Sequence, residues 1–275
     1  MKILIPTDFS QLSKIAIQYV IGLSKDIELD MVVLHVVNTT KPTMARLSSK
    51  KLIESIKKST EWEMEELIKT IKTESGHDLK IDAQIINDSS IEKGVETYAL
   101  QHDIDIICIG TKGATGLKKI IFGSNAAGII SNSSVPVLTI PEFASYSGIN
   151  NIIYSSDLEN LEEELKVLIP FAKKMDTWVH VLHINKLHGD PERNLQSREN
   201  RIISLLSYEK IKTKELENDS IINGINQYVK DVEADMVAMF THKASLIDKL
   251  LKKSVTKEAA FQTRTPLLTF QKEKK

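Results

Sequence analysis

The sequence has little of several residue types that mark specialised classes of protein. Its 275 residues include a single cysteine, Cys108, so no internal disulfide can form. No apolar run approaches the roughly 18 residues that a helix needs to cross a bilayer. The apolar stretch at residues 3–6 also ends too early for the core of a secretory signal. We therefore expect a cytoplasmic protein with no membrane span.

An excess of charge of either sign is missing as well. The chain carries 36 basic and 37 acidic side chains, a formal net charge of -1. Proteins that hold a nucleic acid by its phosphates need a basic surface, so this class of partner is disfavoured. Hydrophobic residues make up 41% of the chain and charged residues 27%, as in ordinary globular proteins. The length favours two domains of about 135 residues each.

An internal repeat divides the chain into two copies. Three segments recur in the same order: 3–10 as 152–159, 33–38 as 181–185, and 94–140 as 224–270. The first match places Asp8 over Asp157. These matches predict a tandem duplication with domains at 1–144 and 150–275, joined by a mostly polar or small-residue linker at 145–150.

Short runs of Val, Ile and Leu alternate with helical patterns in the first copy. Strands are predicted near 2–6, 30–37, 80–86, 104–109 and 135–140, and helices near 10–25, 42–75, 90–102 and 123–132. This alternation predicts an α/β fold in which each domain is a five-stranded parallel sheet with helices on both faces. Ligands of such doubly wound sheets bind at the carboxyl ends of the strands, where the strand order reverses.

The first copy is longer than the second between its second and third strands. His35 and Ile81 are 46 positions apart, whereas the matching His183 and Ile211 are 28 apart, so the first copy has 18 more residues here. The extra segment is predicted to be an amphipathic surface helix. Its apolar residues recur every three or four positions among Lys and Glu: Leu52, Ile53, Ile56, Met64, Leu67, Ile68 and Ile71.

Glycines are concentrated in one loop after the fourth strand. Four of the chain's 11 glycines fall within fourteen residues, at 110, 113, 116 and 123. Backbone without a Cβ can approach a ligand closely, and consecutive free N–H groups can bind an anion. Gly123-Ser124-Asn125 opens a helix whose free N–H groups favour a phosphate. The loop suits a phosphate tail, although the same glycines could serve tight turns alone.

The motifs resemble those of the universal stress protein family, in its tandem two-domain form. The resemblance is carried by three elements in order: the opening Ile-Pro-Thr-Asp-Phe-Ser, a Leu-His-Val-Val second strand, and Gly110-x2-Gly113-x9-Gly123-Ser124. It covers the first copy throughout and the second more weakly. It implies two tandem Rossmann-like domains of the adenine nucleotide alpha hydrolase type, of which the first binds ATP, with Mg²⁺ as an optional companion of the nucleotide.

The resemblance also assigns the contacts with ATP. It places the phosphates and ribose at Gly110, Gly113, Gly123, Ser124 and Asn125, the nucleoside end at Pro6, Thr7 and Asp8, and adenine between Val36 and Ile109. Asp8 suits a ribose or adenine donor, but it could instead cap the helix that begins near Ser10. Thr111 and Ser124 could bind Mg²⁺ together with phosphate oxygens, although no acidic residue of this loop would anchor the metal.

The second copy departs from the glycine motif. Gly110, Gly113, Gly123 and Asn125 are replaced there by Phe240, Lys243, Lys253 and Val255, while Ser254 is retained. A ring at Phe240 would stand where phosphate approaches the backbone, and the added Cβ atoms would restrict positive φ. The second domain is therefore predicted to be a degenerate copy. Its lysines could attract another anion or simply form a solvated face.

The function implied by the resemblance is that of a cytoplasmic, nucleotide-dependent stress-response and regulatory protein. Family members commonly associate through the last strand, which implies an internal pseudo-dimer and in addition a homodimer. The alternatives are a nucleotide-free scaffold, a weak ATP-hydrolysing enzyme, and an adenylyl transferase or pyrophosphatase. The last pair would carry His-x-Gly-His or a Ser-Gly-Gly loop, which the turn after the first strand lacks. No general base stands out, and no protein partner is named by the sequence.

Overall fold

The computed structural model describes residues 1–38, 50–111, 124–185, 195, 198–241 and 264–271. The chain divides into two compact units, with the boundary between Tyr146 and Ser147. Both units are α/β, and the same topology occurs in each. None of the described helices is long and apolar enough to cross a membrane.

The first unit alternates strands and helices along its described residues. They are β1 (Lys2–Pro6), α1 (Gln11–Leu23), β2 (Asp30–Asn38), α2 (Lys50–Ser75), β3 (Lys80–Asp88), α3 (Ile91–Gln101), β4 (Ile106–Thr111), α4 (Ser124–Asn132) and β5 (Val137–Pro141). The strands pair in parallel in the order β3-β2-β1-β4-β5. The predicted doubly wound parallel sheet is confirmed.

The second unit repeats this arrangement. Its described elements are β6 (Asn151–Ser155), α5 (Leu161–Met175), β7 (Trp178–Asn185), α6 (Glu199–Leu206), β8 (Ile211–Glu217), α7 (Ile221–Asp231), β9 (Met236–Thr241) and β10 (Leu267–Gln271). They pair in parallel in the order β10-β9-β6-β7-β8. Each strand therefore occupies the position of its counterpart in the first unit, as a tandem duplication requires.

The central strands of the first unit are buried on both faces. Ile3, Leu4 and Ile5 of β1 and Ile107 of β4 have no exposed surface. Because helices cover both faces, these strands read as continuous apolar runs and do not alternate with polar residues. Cys108 lies among them as a buried thiol, and burial raises the pKa of that thiol far above its usual range.

Strand β4 begins two residues later than predicted. Ile104 and Asp105 belong to the turn that enters the strand, where the Asp105 amide donates to the carbonyl of Lys2 at 3.0 Å. The Asp105 carboxylate also accepts from the Lys2 amide at 2.7 Å, and Asp103 has a φ of 51°. The apolar residue at 104 faces the core from the turn, so hydropathy alone does not separate it from the strand.

Helix α2 has the predicted amphipathic character. Met64, Leu67 and Ile71 are buried on one side, and charged side chains occupy the other. The helix has 26 residues, whereas its counterpart α6 has 8. The difference equals the 18 extra residues that the sequence places in the first copy. The predicted residues 42–49 of this helix lie outside the described residues.

The segment after β5 is held against the first unit. The Tyr146 hydroxyl donates to Asp26 at 2.5 Å, and its ring meets Tyr19 edge-on with centroids 5.3 Å apart. A Cβ on Gly22 of α1 would lie 2.6 Å from the Tyr146 Cβ. Part of the stretch predicted as a linker is therefore packed onto α1, because glycine leaves room for the tyrosine.

Candidate nucleotide site

A cavity of about 450 Å³ lies at the carboxyl ends of β1, β2 and β4 in the first unit. In the sheet, β1 stands between β2 and β4, so the strand order reverses beside it. This is the place where open α/β sheets bind ligands. The volume also falls within the range of about 300–1,000 Å³ that small-molecule sites occupy.

The cavity collects most of the residues that the sequence singled out. Seven of the ten line it: Pro6, Thr7, Asp8, Val36, Ile109, Gly110 and Asn125. Ser124 is the first residue of α4, directly before Asn125. Gly113 and Gly123 lie outside the described residues. Four segments that are far apart in the chain thus meet at one end of the sheet.

The turn after β1 is ordered by its own side chains. The Thr7 hydroxyl accepts from the Phe9 amide at 3.0 Å, and the Asp8 carboxylate accepts from the Ser10 amide at 3.1 Å. Phe9 adopts a φ of 61°, which is uncommon for a bulky residue. Ser10, whose hydroxyl accepts from the Ser13 amide, caps helix α1.

This geometry excludes the helix-cap role considered for the Asp8 side chain. The helix cap is Ser10, and Asp8 orients the turn while its carboxylate remains exposed beside the cavity. Partial burial raises the pKa of Asp8, but hydrogen bonds from Ser10 and Ser13 outweigh burial and hold that pKa below its usual value. The carboxylate is therefore ionised at neutral pH and can accept a hydrogen bond.

The same turn occurs in the second unit. The Ser156 hydroxyl accepts from the Leu158 amide at 3.0 Å, the Asp157 carboxylate accepts from the Glu159 amide at 3.1 Å, and Leu158 has a φ of 66°. Since this copy lacks the glycine motif, the turn by itself does not distinguish a nucleotide site.

Strand β2 offers main-chain groups to the cavity at Val36. The Asp30 amide donates to the carbonyl of Met1, and the carbonyl of Leu34 accepts from the Thr7 amide, both at 2.8 Å. Successive residues of a strand direct their main-chain groups to alternate sides. The N–H and C=O of Val36 therefore point to the side of β1, as those of Asp30 and Leu34 do. Strand β1 ends at Pro6. The Val36 groups therefore extend past the end of β1, toward the cavity that this residue lines.

The two histidines at matching strand ends make the same hydrogen bond. His35 Nδ1 donates to the carbonyl of Thr7 at 2.8 Å, and His183 Nδ1 donates to the carbonyl of Ser156 at 2.9 Å. The His35 ring also stacks on Phe9, with centroids 4.7 Å apart. The two histidines are therefore structurally equivalent, although His35 also lines the cavity.

Packing against a helix, and not the expected ligand contact, explains why residue 110 is glycine. A Cβ at this position would lie 1.9 Å from the carbonyl oxygen of Leu12 and 2.6 Å from its carbonyl carbon. Its φ is not in the left-handed region. The backbone of α1 thus passes directly over β4. The expectation of a positive φ at this glycine is wrong. The close approach of α1 explains why residue 110 lacks a Cβ, while its main chain still lines the cavity and its contact with the phosphates stays a prediction.

In the second unit Phe240 occupies the position that corresponds to Gly110. Its ring stacks on Phe270, with centroids 4.5 Å apart, and meets Tyr154 edge-on at 5.7 Å. The Tyr154 hydroxyl donates to Glu164 of α5, which is the counterpart of α1. The Phe240 ring therefore lies on the sheet face that α5 covers. In the first unit the backbone of α1 contacts β4 directly at Gly110, and in the second unit the Phe240 ring occupies the corresponding place under α5. The expectation that this ring stands in a phosphate position is therefore corrected.

The buried hydrogen bond between Tyr154 and Glu164 should stabilise the second unit. Tyr154→Phe keeps the ring and removes the donor from a carboxylate that is 5% exposed. We expect the free energy of unfolding to fall by about 1–3 kcal/mol, measured by hydrogen exchange of peptides from β6 and α5. Tyr146→Phe, which removes an exposed hydroxyl from Asp26, is the control. Equal effects of the two substitutions would contradict the argument.

Thr111, one of the two residues that could bind Mg²⁺, is buried. The Thr111 side chain is 1% exposed, and its hydroxyl donates to the carbonyl of Ile140 in the neighbouring strand at 3.3 Å. Burial and this hydrogen bond disfavour the Mg²⁺ contact considered for Thr111.

Several cavity residues escaped the sequence reasoning. Ile56 and Thr60 come from α2, Ile91 from the start of α3, and Ile129 from α4. Each belongs to an apolar or mixed helical pattern that is equally typical of core packing. Only the way in which these helices cover the sheet shows that they also form the walls of the site.

The fold and the position of the cavity define a tandem Rossmann-like α/β protein. The sequence model of the universal stress protein family matches residues 1–141. The chain is 31% identical over 140 residues to universal stress protein MJ0531 of Methanocaldococcus jannaschii, covering 50% of this chain and 81% of that protein. Universal stress protein MJ0577 of the same organism is 27% identical over 151 residues. The chain belongs to the universal stress protein family.

A solved structure matches the fold over nearly the whole chain. A universal stress protein from Archaeoglobus fulgidus covers 99% of this chain and 98% of its own, with a TM-score of 0.78 and 20% identity. A likeness at this identity concerns the fold, and it confirms the Rossmann-like α/β class for the chain. Membership of the family supports a role in the stress response.

Proposed function

We propose that the protein is a cytoplasmic stress-response regulator that binds ATP in the cavity of its first unit. The observation that carries the proposal is the convergence of the β1 turn, the exit of β2, the exit of β4 and the start of α4 on one cavity at the point of strand-order reversal. Such a cavity is the default ligand site of this fold.

The residues at the site fit the parts of an adenine nucleotide. Val36 and Ile109 supply apolar surface for a flat base, and the Val36 main chain supplies a donor and an acceptor at its edge. The ionised Asp8 carboxylate suits a ribose hydroxyl or an amino group. Asn125 lies in the first turn of α4, where free N–H groups and the helix dipole favour phosphate. Gly113 and Gly123 would extend this anion site.

Nucleotide binding would act as a regulatory signal. ATP can shift an equilibrium between two states of the protein only if it binds one of them more tightly. We propose that ATP acts on the loop at 110–123, of which residues 112–123 lie outside the described residues, and that a protein partner reads the resulting surface. Any Mg²⁺ would be carried by the phosphate oxygens of the nucleotide, because the described residues include no cluster of three His, Cys, Asp or Glu side chains.

The second unit is proposed to bind no nucleotide. It keeps the β1-type turn and the matching histidine, but it carries lysines at the positions of Gly113 and Gly123. One ATP per chain is therefore the expected stoichiometry.

Equilibrium dialysis of the full chain with ATP, ADP, AMP and GTP tests this function. We expect saturation near one ATP per chain. Asp8→Ala should weaken ATP binding by about 10-fold or more, since a hydrogen bond to a charged group is worth about 1.5–3 kcal/mol. The matched variant Asp157→Ala removes the same side chain from the same kind of turn and should leave binding unchanged.

Other results would select the alternatives. No bound nucleotide at millimolar ATP would favour a nucleotide-free scaffold, and steady release of inorganic phosphate would favour a weak ATPase. Saturation at two nucleotides, or an equal loss of binding in Asp157→Ala, would refute the division of roles between the units.

A further inference from the structure

Helix α2 carries a large aromatic side chain on its outer face. Trp62 is 62% exposed, although tryptophan usually buries most of its surface. It sits at the middle of the 26 residues of α2. The buried residues Met64, Leu67 and Ile71 lie on the opposite side of the helix, as the angle of about 100° per residue requires. Packing within the first unit therefore does not account for this tryptophan.

The side chains around Trp62 have a symmetric arrangement of complementary groups. One turn before it on the same face are Lys58 and Ser59, and one turn after it are Glu65 and Glu66. Lys58, Ser59 and Glu65 are exposed, and the Glu66 side chain is 46% exposed. We call this set, residues 58, 59, 62, 65 and 66, the Trp62 face.

We propose that the Trp62 face docks on the same face of a second copy of this chain. In an antiparallel pair of α2 helices related by a two-fold axis at Trp62, residues equally far before and after Trp62 lie opposite each other. Lys58 of one chain then faces Glu66 of the other, and the pair occurs twice. Ser59 likewise faces Glu65, and its hydroxyl can donate to that carboxylate. A face that complements itself in this way favours a second copy over an unrelated partner.

The central tryptophans supply the apolar part of the interface. Trp62 of each chain covers the other, and the aliphatic stem and ammonium of Lys58 can lie over the opposing indole ring. Tryptophan at the centre of an interface, surrounded by charged residues that exclude water, is the usual composition of a binding hot spot. Two helices of 26 residues would run alongside each other for up to about 39 Å.

The ion pair that Glu66 already makes within α2 does not prevent the contact with Lys58 of a second copy. Glu66 already accepts from Lys69 at 2.5 Å within its own helix, which restricts the Glu66 side chain before any second chain arrives. The carboxylate retains lone pairs for Lys58 of the other copy. The proposal does not depend on nucleotide binding.

Sedimentation equilibrium of the full chain without nucleotide, over a range of concentrations, tests the proposal. We expect a reversible monomer–dimer equilibrium. Trp62→Ala should raise the dissociation constant by about 30-fold or more, as loss of a hot-spot side chain does. Trp178→Ala, which removes the other tryptophan of the chain, is the control and should leave the dissociation constant unchanged. Circular dichroism checks that each variant is folded.

A charge swap gives a sharper test than loss of the tryptophan. Lys58→Glu places like charges opposite each other and should weaken the dimer several-fold. The double variant with Lys58→Glu and Glu66→Lys restores opposite charges and should return the dissociation constant to within about threefold of the original. A chain that stays monomeric at every concentration, or a dimer that is indifferent to Trp62→Ala and to the charge swap, would overturn the proposal. A monomeric chain would mean that the Trp62 face binds another kind of partner. A dimer that is insensitive to these substitutions would have its interface elsewhere.

Discussion

Replacing Gly110 with alanine is expected to destabilise the first unit by about 3 kcal/mol or more. The new Cβ would lie 1.9 Å from the carbonyl oxygen of Leu12. That oxygen belongs to the backbone of α1, which cannot rotate away as a side chain can. Either α1 lifts from β4 or the strand bends. Because Leu12, Ser13 and Gly110 also line the cavity, ATP binding should weaken together with stability.

Hydrogen exchange read by mass spectrometry measures this effect separately in each unit. Peptides from α1 and β4 should exchange faster in the variant, whereas those from α5 and β9 should not. Gly128→Ala is the matched control, since the three atoms nearest to a Cβ there all belong to the side chain of Glu92, the nearest at 2.5 Å. That side chain can move, and alanine favours a helix. A Gly110→Ala protein as stable as Gly128→Ala would disprove the proposed contact between α1 and β4.

Replacing Ala126 with tryptophan is expected to weaken ATP binding by about 100-fold or more. Ala126 lines the cavity from the first turn of α4. An indole there would take up much of the volume of about 450 Å³ and would cover the helix N-terminus proposed for the phosphates. Calorimetric titration of the full chain with ATP measures the loss, which is equivalent to about 2.8 kcal/mol.

The neighbouring residue provides the control for this substitution. Ala127 is half-buried on the same helix and is not among the residues that line the cavity. Ala127→Trp adds the same side chain with the same helix propensity, so it reports any general damage to α4. Unchanged affinity in Ala126→Trp, or equal losses in the two variants, would show that ATP does not occupy this cavity.

Local pattern was sufficient to predict the elements of the first unit. Strands β1 and β2 begin where apolar runs predict them, and the periodic residues of α2 bury one face, because hydrophobic periodicity reflects which side of an element meets the core. The start of β4 was missed by two residues. Ile104 is apolar but packs from a turn held by Asp105 and Lys2, and this contact joins residues about a hundred positions apart.

The candidate site was predictable only in part. The glycine motif and the Pro-Thr-Asp turn brought attention to the residues that the cavity later collects, because parallel strands end at one edge of the sheet. Ile56 and Thr60 could not be found in this way. Their pattern on α2 is that of any amphipathic helix, and their place in the cavity depends on how that helix crosses the sheet.

The sequence by itself determined the class of fold, the duplication and the family, because these depend on periodicity and on motifs that are local in the chain. Only the tertiary structure decided what individual residues do. Gly110 is required by the backbone of α1, Phe240 packs beneath α5, and Thr111 turns toward β5. In each case the deciding contact comes from a residue distant in the chain. Packing density leaves no space for a side chain where two backbones meet, and no local pattern records that meeting.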